Sequence, residues 1–78
     1  MKKIHWKRIR PGYYSLSNDG DERACVQKLK NTSIYLWALR VIHPSGAIEL
    51  WHMKTIAECR QEATCQLNLQ GIDPQPNG

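Results

Sequence analysis

The chain has 78 residues, of which 41% are hydrophobic and 23% are charged. At this length folding hides only about 60% of the surface of the unfolded chain, so there is room for one domain with a thin core. The composition excludes intrinsic disorder as a description of the whole chain, and no apolar run reaches the length of a transmembrane helix.

The formal net charge of +4 comes from the N-terminal segment. Residues 1–10 contain no acidic side chain and five basic ones, which are Lys2, Lys3, Lys7, Arg8 and Arg10. Such a segment can contact phosphates, because Lys and Arg displace counterions condensed on nucleic acid, or it can be a solvated terminus that promotes solubility. Because these charges occupy the place where a signal peptide has its apolar region, we predict no export signal.

The three cysteines, Cys25, Cys59 and Cys65, are odd in number and form no Cys-x-x-Cys pair. This pattern does not fit the disulfide framework of a small secreted protein. We therefore predict free thiols and a cytoplasmic location.

The first part of the chain predicts strands joined by tight turns. Residues 4–10 have strand-like content, Pro11 and Gly12 interrupt them, and residues 13–17 continue in an extended pattern, as one kinked strand or as two short ones. Asp19 and Gly20 suit the positive φ angles of a tight hairpin, after which residues 22–30 form the next strand.

The middle of the chain predicts two more strands. A reversal at Asn31 and Thr32 leads into residues 34–42, which are rich in β-branched and aromatic side chains. Pro44 and Gly46 fit the second and fourth positions of a type I turn, and residues 47–53 complete an antiparallel meander.

A helix is predicted to begin at Thr55, which forms a capping box with Glu58. Apolar side chains at spacings of three and four residues then lie on one helical face, at Ile56, Cys59, Ala63 and Leu67. The predicted fold class is therefore α+β, with a small antiparallel β-sheet of four or five strands in a meander packed against one C-terminal α-helix. Residues 1–72 are predicted to form this single domain, and residues 73–78 a disordered tail.

Turns of even length fix a predicted register, with Asn18 opposite Asp21 and His43 opposite Gly46. The face predicted to lie under the helix contains Tyr13, Ser15, Ala24, Val26, Lys28, Tyr35, Trp37, Leu39, Val41, Ile48, Leu50 and His52. The other face contains Tyr14, Leu16, Arg23, Cys25, Gln27, Leu29, Leu36, Ala38, Arg40, Glu49, Trp51 and Met53. Because that second face is too apolar to stand bare in water, either the N-terminal segment with Trp6 covers it or it forms a homodimer or ligand surface.

No pattern for catalysis or metal binding is present in the sequence. The cysteines and histidines have no spacing that indicates a nucleophile and its base, and buried structural thiols are far more common. Cys59 and Cys65 are six residues apart and point to different sides of the helix, unlike paired zinc ligands. No glycine-rich phosphate loop occurs. We therefore predict that the protein is not an enzyme and that it has no metal and no cofactor.

The remaining signal is one for binding. Aromatic side chains interleaved with arginines on a sheet face can stack the bases of single-stranded nucleic acid while clamping its backbone. The candidate binding residues are Lys7, Arg8, Arg10, Tyr14, Arg23, Arg40 and Trp51. The same residue types also suit a protein interface or a dimer core.

Several features stand in a particular order between residues 4 and 67. They are Trp6, the run Gly12, Tyr13 and Tyr14, a strand with Trp37, the turn glycine Gly46 and the helix start Lys54, Thr55, Ile56, Ala57, Glu58 and Cys59. This order resembles a loose class of short proteins encoded by bacteriophages and prophages, although Cys59 stands where an alanine is expected. The resemblance implies either an inhibitor of a host defence system, as anti-CRISPR proteins are, or a DNA-binding regulator.

Two hypotheses follow. In the first, the protein binds nucleic acid or a nucleoprotein complex through its basic N-terminal segment and its aromatic and arginine-bearing sheet face. In the second, it is an inhibitor or adaptor that acts on a host protein by protein–protein contact. Neither hypothesis involves a membrane.

Overall fold

A computed structural model describes residues 2–30 and 34–75 of the chain. Within these residues the chain forms six strands and one helix. They are β1 (Lys2–Arg10), β2 (Tyr13–Asn18), β3 (Asp21–Lys28), β4 (Trp37–Ile42), β5 (Ile48–Met53), α1 (Ile56–Asn68) and β6 (Ile72–Gln75). The predicted reversal at residues 31–32 lies outside the described residues. No helix in the described part of the chain is long and apolar enough to cross a membrane.

The strands form one curled sheet in the order β5-β4-β3-β2-β1-β6. Strands β1 to β5 are an antiparallel meander, whereas β6 runs parallel to β1. The prediction of an α+β fold with one C-terminal helix is confirmed. The predicted four or five strands and the purely antiparallel sheet are wrong, because the chain returns after α1 and adds a strand beside β1.

The strand β6 includes residues that the sequence predicted as part of a disordered tail. Gly71, at a φ of +78°, turns the chain after α1, and the Lys2 amide donates to the Gly71 carbonyl at 3.0 Å. Ile72 and Pro74 are buried beside β1. Burial of these two apolar side chains is what holds residues 72–75 in place, while residues 76–78 lie outside the described residues.

The basic N-terminal segment is a strand inside the sheet, since β1 pairs with both β2 and β6. Its Ile4 and Trp6 side chains are buried in the core below α1. Trp6 therefore does not cover the opposite face of the sheet, which was one of the predicted alternatives.

The connection between β4 and β5 explains why the predicted register of β5 is wrong. The His43 amide donates to the Ala47 carbonyl at 2.8 Å, and Gly46 has a φ of +92°. This geometry is a three-residue loop, a type I turn followed by a left-handed residue, and not a two-residue loop. Shifting the register by one residue exchanges the faces of a strand, so Leu50 turns away from α1 and Trp51 turns toward it.

A β-bulge has the same effect on β2. Asn18 lies opposite Asp21 as predicted, but the register shifts between Leu16 and Ser17, so that Leu16 lies opposite Ala24. The extra residue in β3 reverses the alternation of β2 beyond the bulge. Leu16 is consequently fully buried under α1, whereas the sequence predicted it on the face away from the helix.

Helix α1 packs closely on the sheet through the predicted stripe of small residues. Cys59, Ala63 and Leu67 are fully buried, and Ile56 is partly buried against the same core. The Glu58 amide donates to the Thr55 hydroxyl at 3.2 Å, as in the predicted capping box, although the Glu58 carboxylate accepts from that hydroxyl and not from the Thr55 amide. The sheet residues beneath the helix with no exposed surface are Leu16, Ala24, Val26, Leu39 and Val41.

We expect the substitution Leu39→Ala to lower the free energy of unfolding by about 2–5 kcal/mol, since it opens a cavity under α1. The matched control is Leu69→Ala, because Leu69 is one of the most exposed apolar side chains. That control should change the free energy of unfolding by less than about 0.5 kcal/mol. Urea denaturation followed by circular dichroism measures both values, and equal losses would contradict the described core.

Candidate functional site

The side of the sheet away from α1, which we call the open face, carries a row of four residues across β1 to β4. Lys7 lies opposite Ser15, Ser15 opposite Cys25, and Cys25 opposite Arg40. Cross-strand partners share a face, and these residues alternate with the buried Leu16, Ala24 and Leu39. Lys7 and Arg40 are exposed at the two ends of the row.

A further arginine lies on the open face. The Arg10 guanidinium lies 4.8 Å from the centre of the Tyr13 ring, in a cation–π contact. Arg23 is the extra residue of the bulge in β3, where strand alternation is interrupted, and its side chain is partly buried. Of the seven predicted binding residues, Lys7, Arg10 and Arg40 therefore share the open face.

Three of the remaining predicted residues lie on the side of α1. Arg8 is opposite Tyr14, and the Tyr14 ring centre is 6.4 Å from that of Trp37 and 5.2 Å below the Arg60 guanidinium. Trp51 packs against the core. The prediction that Tyr14 and Trp51 share a face with Arg40 is wrong, because the bulge in β3 and the three-residue loop before β5 reverse the faces of Tyr14 and Trp51.

At the centre of the open face a carboxylate is held by two hydroxyl groups. The Ser15 hydroxyl donates to Glu22 Oε2 at 2.6 Å, and the Tyr13 hydroxyl donates to the same oxygen at 3.2 Å. Glu22 follows the tight turn at Asp19 and Gly20, and the bulge at Arg23 turns its side chain back over β2. Charge-assisted hydrogen bonds of this kind fix the carboxylate against the sheet.

Burial favours the protonated forms of the Tyr13 hydroxyl and the Cys25 thiol in this cluster. It raises the pKa of Tyr13 to about 12, with smaller contributions from Cys25 and Glu22. Burial likewise raises the pKa of the Cys25 thiol, against the opposing effect of its hydrogen bond with Tyr13. The Cys25 thiol is therefore not an activated nucleophile.

A cleft of about 480 Å³ lies at one end of the open face, where the β1–β2 turn meets the end of β3. Its lining residues include three basic residues and no acidic one: Arg10, Pro11, Gly12, Tyr13, Gln27, Lys28, Leu29 and Lys30. The Lys28 amide donates to the Gly12 carbonyl at 2.8 Å, and a Cβ atom at Gly12 would lie 3.3 Å from that of Lys28. Glycine at this position allows the close approach that forms the cleft.

Sequence reasoning missed Lys28 and Lys30 as site residues. Lys28 and Lys30 are distant from Arg10 along the chain, so the sequence does not indicate that they line the same cleft. They come together because Tyr13 lies opposite Gln27. The alternating register of β2 and β3 could have suggested it only with the bulge at Arg23 already known.

Within the described residues no three His, Cys, Asp or Glu side chains are grouped so that they could hold a metal ion.

We expect the three cysteines to react with a thiol reagent such as DTNB at very different rates. Cys65 is exposed, whereas Cys25 and Cys59 are buried, and burial raises the pKa of Cys59 to about 11. At pH 8 the folded protein should show one fast-reacting thiol, and Cys65→Ser should remove this fast phase. A fast phase that persists in Cys65→Ser would contradict the described burial of Cys25 and Cys59.

Comparison with protein-family models, with curated proteins and with solved structures gives no match for this chain. Its resemblance to short phage and prophage proteins stays a prediction. The residues of the open face and of the cleft are therefore the basis for an assignment of function.

Proposed function

We propose that this protein is a non-enzymatic binding protein that holds nucleic acid, free or within a nucleoprotein complex, on its open face. The observation that carries the proposal is the convergence of basic side chains from two strands on the face that α1 leaves uncovered. Lys7 and Arg10 come from β1 and Arg40 comes from β4. Lys28 and Lys30 line the cleft at the end of this face, although Lys28, opposite Trp37, alternates toward the α1 side.

The distribution of acidic side chains supports an anionic ligand. Glu22, at the centre of the open face, is engaged by Ser15 and Tyr13. Asp73, which alternates with the buried Ile72 and Pro74, lies opposite Lys3 on the open face of β6, at the edge of the sheet. The remaining described carboxylates belong to the β2–β3 turn, to α1 and to Glu49, which is directed at His43 on the other side of the sheet. Lys7, Arg10 and Arg40 therefore outnumber Glu22, the carboxylate that lies among them, and this part of the open face has an excess of positive charge.

The spacing of the row fits a phosphate backbone. Neighbouring strands are about 4.8 Å apart, so Lys7 and Arg40 are separated by about 14 Å at their backbones. One strand of B-form DNA places a phosphate about every 3.4 Å along the axis, so this distance covers about four of them. The long side chains at the two ends of the row can adapt to a single strand or to one strand of a duplex.

The aromatic side chains favour backbone contacts over recognition of bases. Tyr14 and Trp51, which the sequence suggested as stacking platforms, pack on the side of α1. Tyr13 lies on the open face, but Arg10 covers its ring. Contacts to phosphate position a nucleic acid without reading its sequence. We therefore propose binding with little sequence preference.

We expect the affinity for a labelled 20-nucleotide single strand to fall about 50-fold between 50 mM and 200 mM NaCl. Four phosphate contacts give a slope of about −2.8 in the logarithm of affinity against the logarithm of salt concentration. Fluorescence anisotropy measures this slope, with a second oligonucleotide of unrelated sequence as the control for sequence preference. An affinity that does not depend on salt concentration, or no binding at 50 mM salt, would contradict the proposal. Either result would favour an acidic protein as the partner.

We expect Arg40→Gln to weaken this binding about eightfold at 50 mM salt and to reduce the salt slope by about 0.7, because it removes one phosphate contact. Arg8→Gln is the matched control, since it removes the same charge from an exposed residue of the other side of the sheet. Its affinity should stay within about twofold of the unsubstituted protein. Equal losses in the two variants would indicate a general charge effect and no site on the open face.

A further inference from the structure

The outer edge of β5 carries backbone amides and carbonyls that form no hydrogen bonds with any described strand. β5 is the last strand of the sheet and pairs only with β4. The Ala47 carbonyl accepts from the His43 amide, and the Met53 carbonyl accepts from the Leu36 amide, so both point toward the β4 side. Because these directions alternate along an antiparallel strand, the amides and carbonyls of Ile48, Leu50 and His52 point away from the sheet.

The same edge carries two exposed apolar side chains. Ile48 and Leu50 are 58% and 57% exposed, and both lie on the open face. Ile42, opposite Ile48 on β4, is partly exposed beside them. An unpaired strand edge with apolar side chains is a template for pairing with another chain.

The other edge of the sheet differs from β5 in ways that oppose pairing. β6 is only four residues long and contains Pro74, which has no amide hydrogen to donate. β5 has six residues and no proline. Short strands and prolines protect a sheet edge, and β5 lacks both devices.

We propose that β5 pairs with β5 of a second copy of this chain, forming an antiparallel dimer with Leu50 at its two-fold axis. In this register Leu50 lies opposite Leu50 of the partner subunit, and Ile48 lies opposite His52 of the partner subunit. All of these residues direct their backbone amides and carbonyls toward the other copy. Every outward amide and carbonyl of β5 then finds a partner. Leu50 and Ile48 of the two copies form one apolar strip on the open face.

Neighbouring registers are less favourable for stated physical reasons. A shift by one residue sets outward-facing groups against inward-facing ones, which cannot form hydrogen bonds. A shift by two residues in one direction sets Glu49 opposite Glu49 of the partner subunit, and like charges directly opposite repel. The shift by two in the other direction moves Ile48 opposite Lys54 of the partner subunit, which lies beyond the end of the strand.

The size of this contact sets the expected strength. A stable interface of standard size takes about 800 Å² from each partner, about a sixth of the 5059 Å² surface of this chain. One strand edge with two apolar side chains covers less, so the dimer belongs to the weak class, with a dissociation constant on the order of 10–100 µM.

The first test is sedimentation equilibrium in buffer without nucleic acid, at protein concentrations from about 5 to about 500 µM. We expect the average mass to rise from monomer to dimer over this range. Leu50→Lys should hold the protein monomeric at about 500 µM, because it sets two cations against each other at the two-fold axis. The matched control Ile9→Lys changes an apolar side chain that is 52% exposed on β1 and should dimerise normally.

The second test traps the proposed register. In a Cys65→Ser background, Leu50→Cys brings two thiols together at a hydrogen-bonded pair, where Cα atoms are about 5.5 Å apart and a disulfide can form. Mild oxidation should give a covalent dimer much faster than for Ile9→Cys in the same background. Circular dichroism checks that each variant is folded. A wild type that stays monomeric at all concentrations, or equal rates of cross-linking for the two cysteine variants, would overturn the proposal.

Discussion

In the described part of the chain a single short helix covers a six-stranded sheet, and the rest of the structure depends on this constraint. The 13 residues of α1 extend about 20 Å, whereas the outermost strands are about 24 Å apart. The helix can bury only one side of the sheet, and it does so at close range because Cys59 and Ala63 are small. The large apolar side chains that the structure buries, including Trp6 and Leu16, are directed to that side. The opposite side can therefore carry charge, and basic residues of β1 and β4 occupy it.

The local features of this fold follow from the sequence because each depends on residues that are close together in the chain. The helix start at Thr55 and Glu58 is a contact across three residues. The buried stripe of α1 needs only the helical period. The hairpin at Asp19 and Gly20 requires positive φ angles that these two residue types tolerate, and Asn18 and Asp21 pair as predicted.

The assignment of side chains to the two faces of the sheet could not be predicted with the same success. It depends on whether a connecting loop or a strand contains one residue more or fewer. The run of Pro44, Ser45 and Gly46 is equally compatible with a type I turn in a two-residue connection and with a three-residue loop that ends in a left-handed glycine. The two possibilities differ by one residue of register and exchange Leu50 and Trp51 between faces. The bulge at Arg23 did the same to Tyr13 and Tyr14. These two single-residue changes removed Tyr14 and Trp51 from the predicted binding face, while Arg40 of β4 kept its predicted face.

The two proposed surfaces occupy different parts of the same side of the sheet, which gives the dimer a consequence for binding. An antiparallel pairing of two β5 edges has its two-fold axis perpendicular to the sheet, so both open faces point in one direction. Lys7 and Arg40 of each copy then belong to one extended surface, with the apolar strip of Ile48 and Leu50 between the two basic regions. A nucleic acid long enough to reach both regions gains avidity from the second contact without any new side chain. A weak dimer is sufficient for this effect, because two copies bound to one strand are held at a high local concentration.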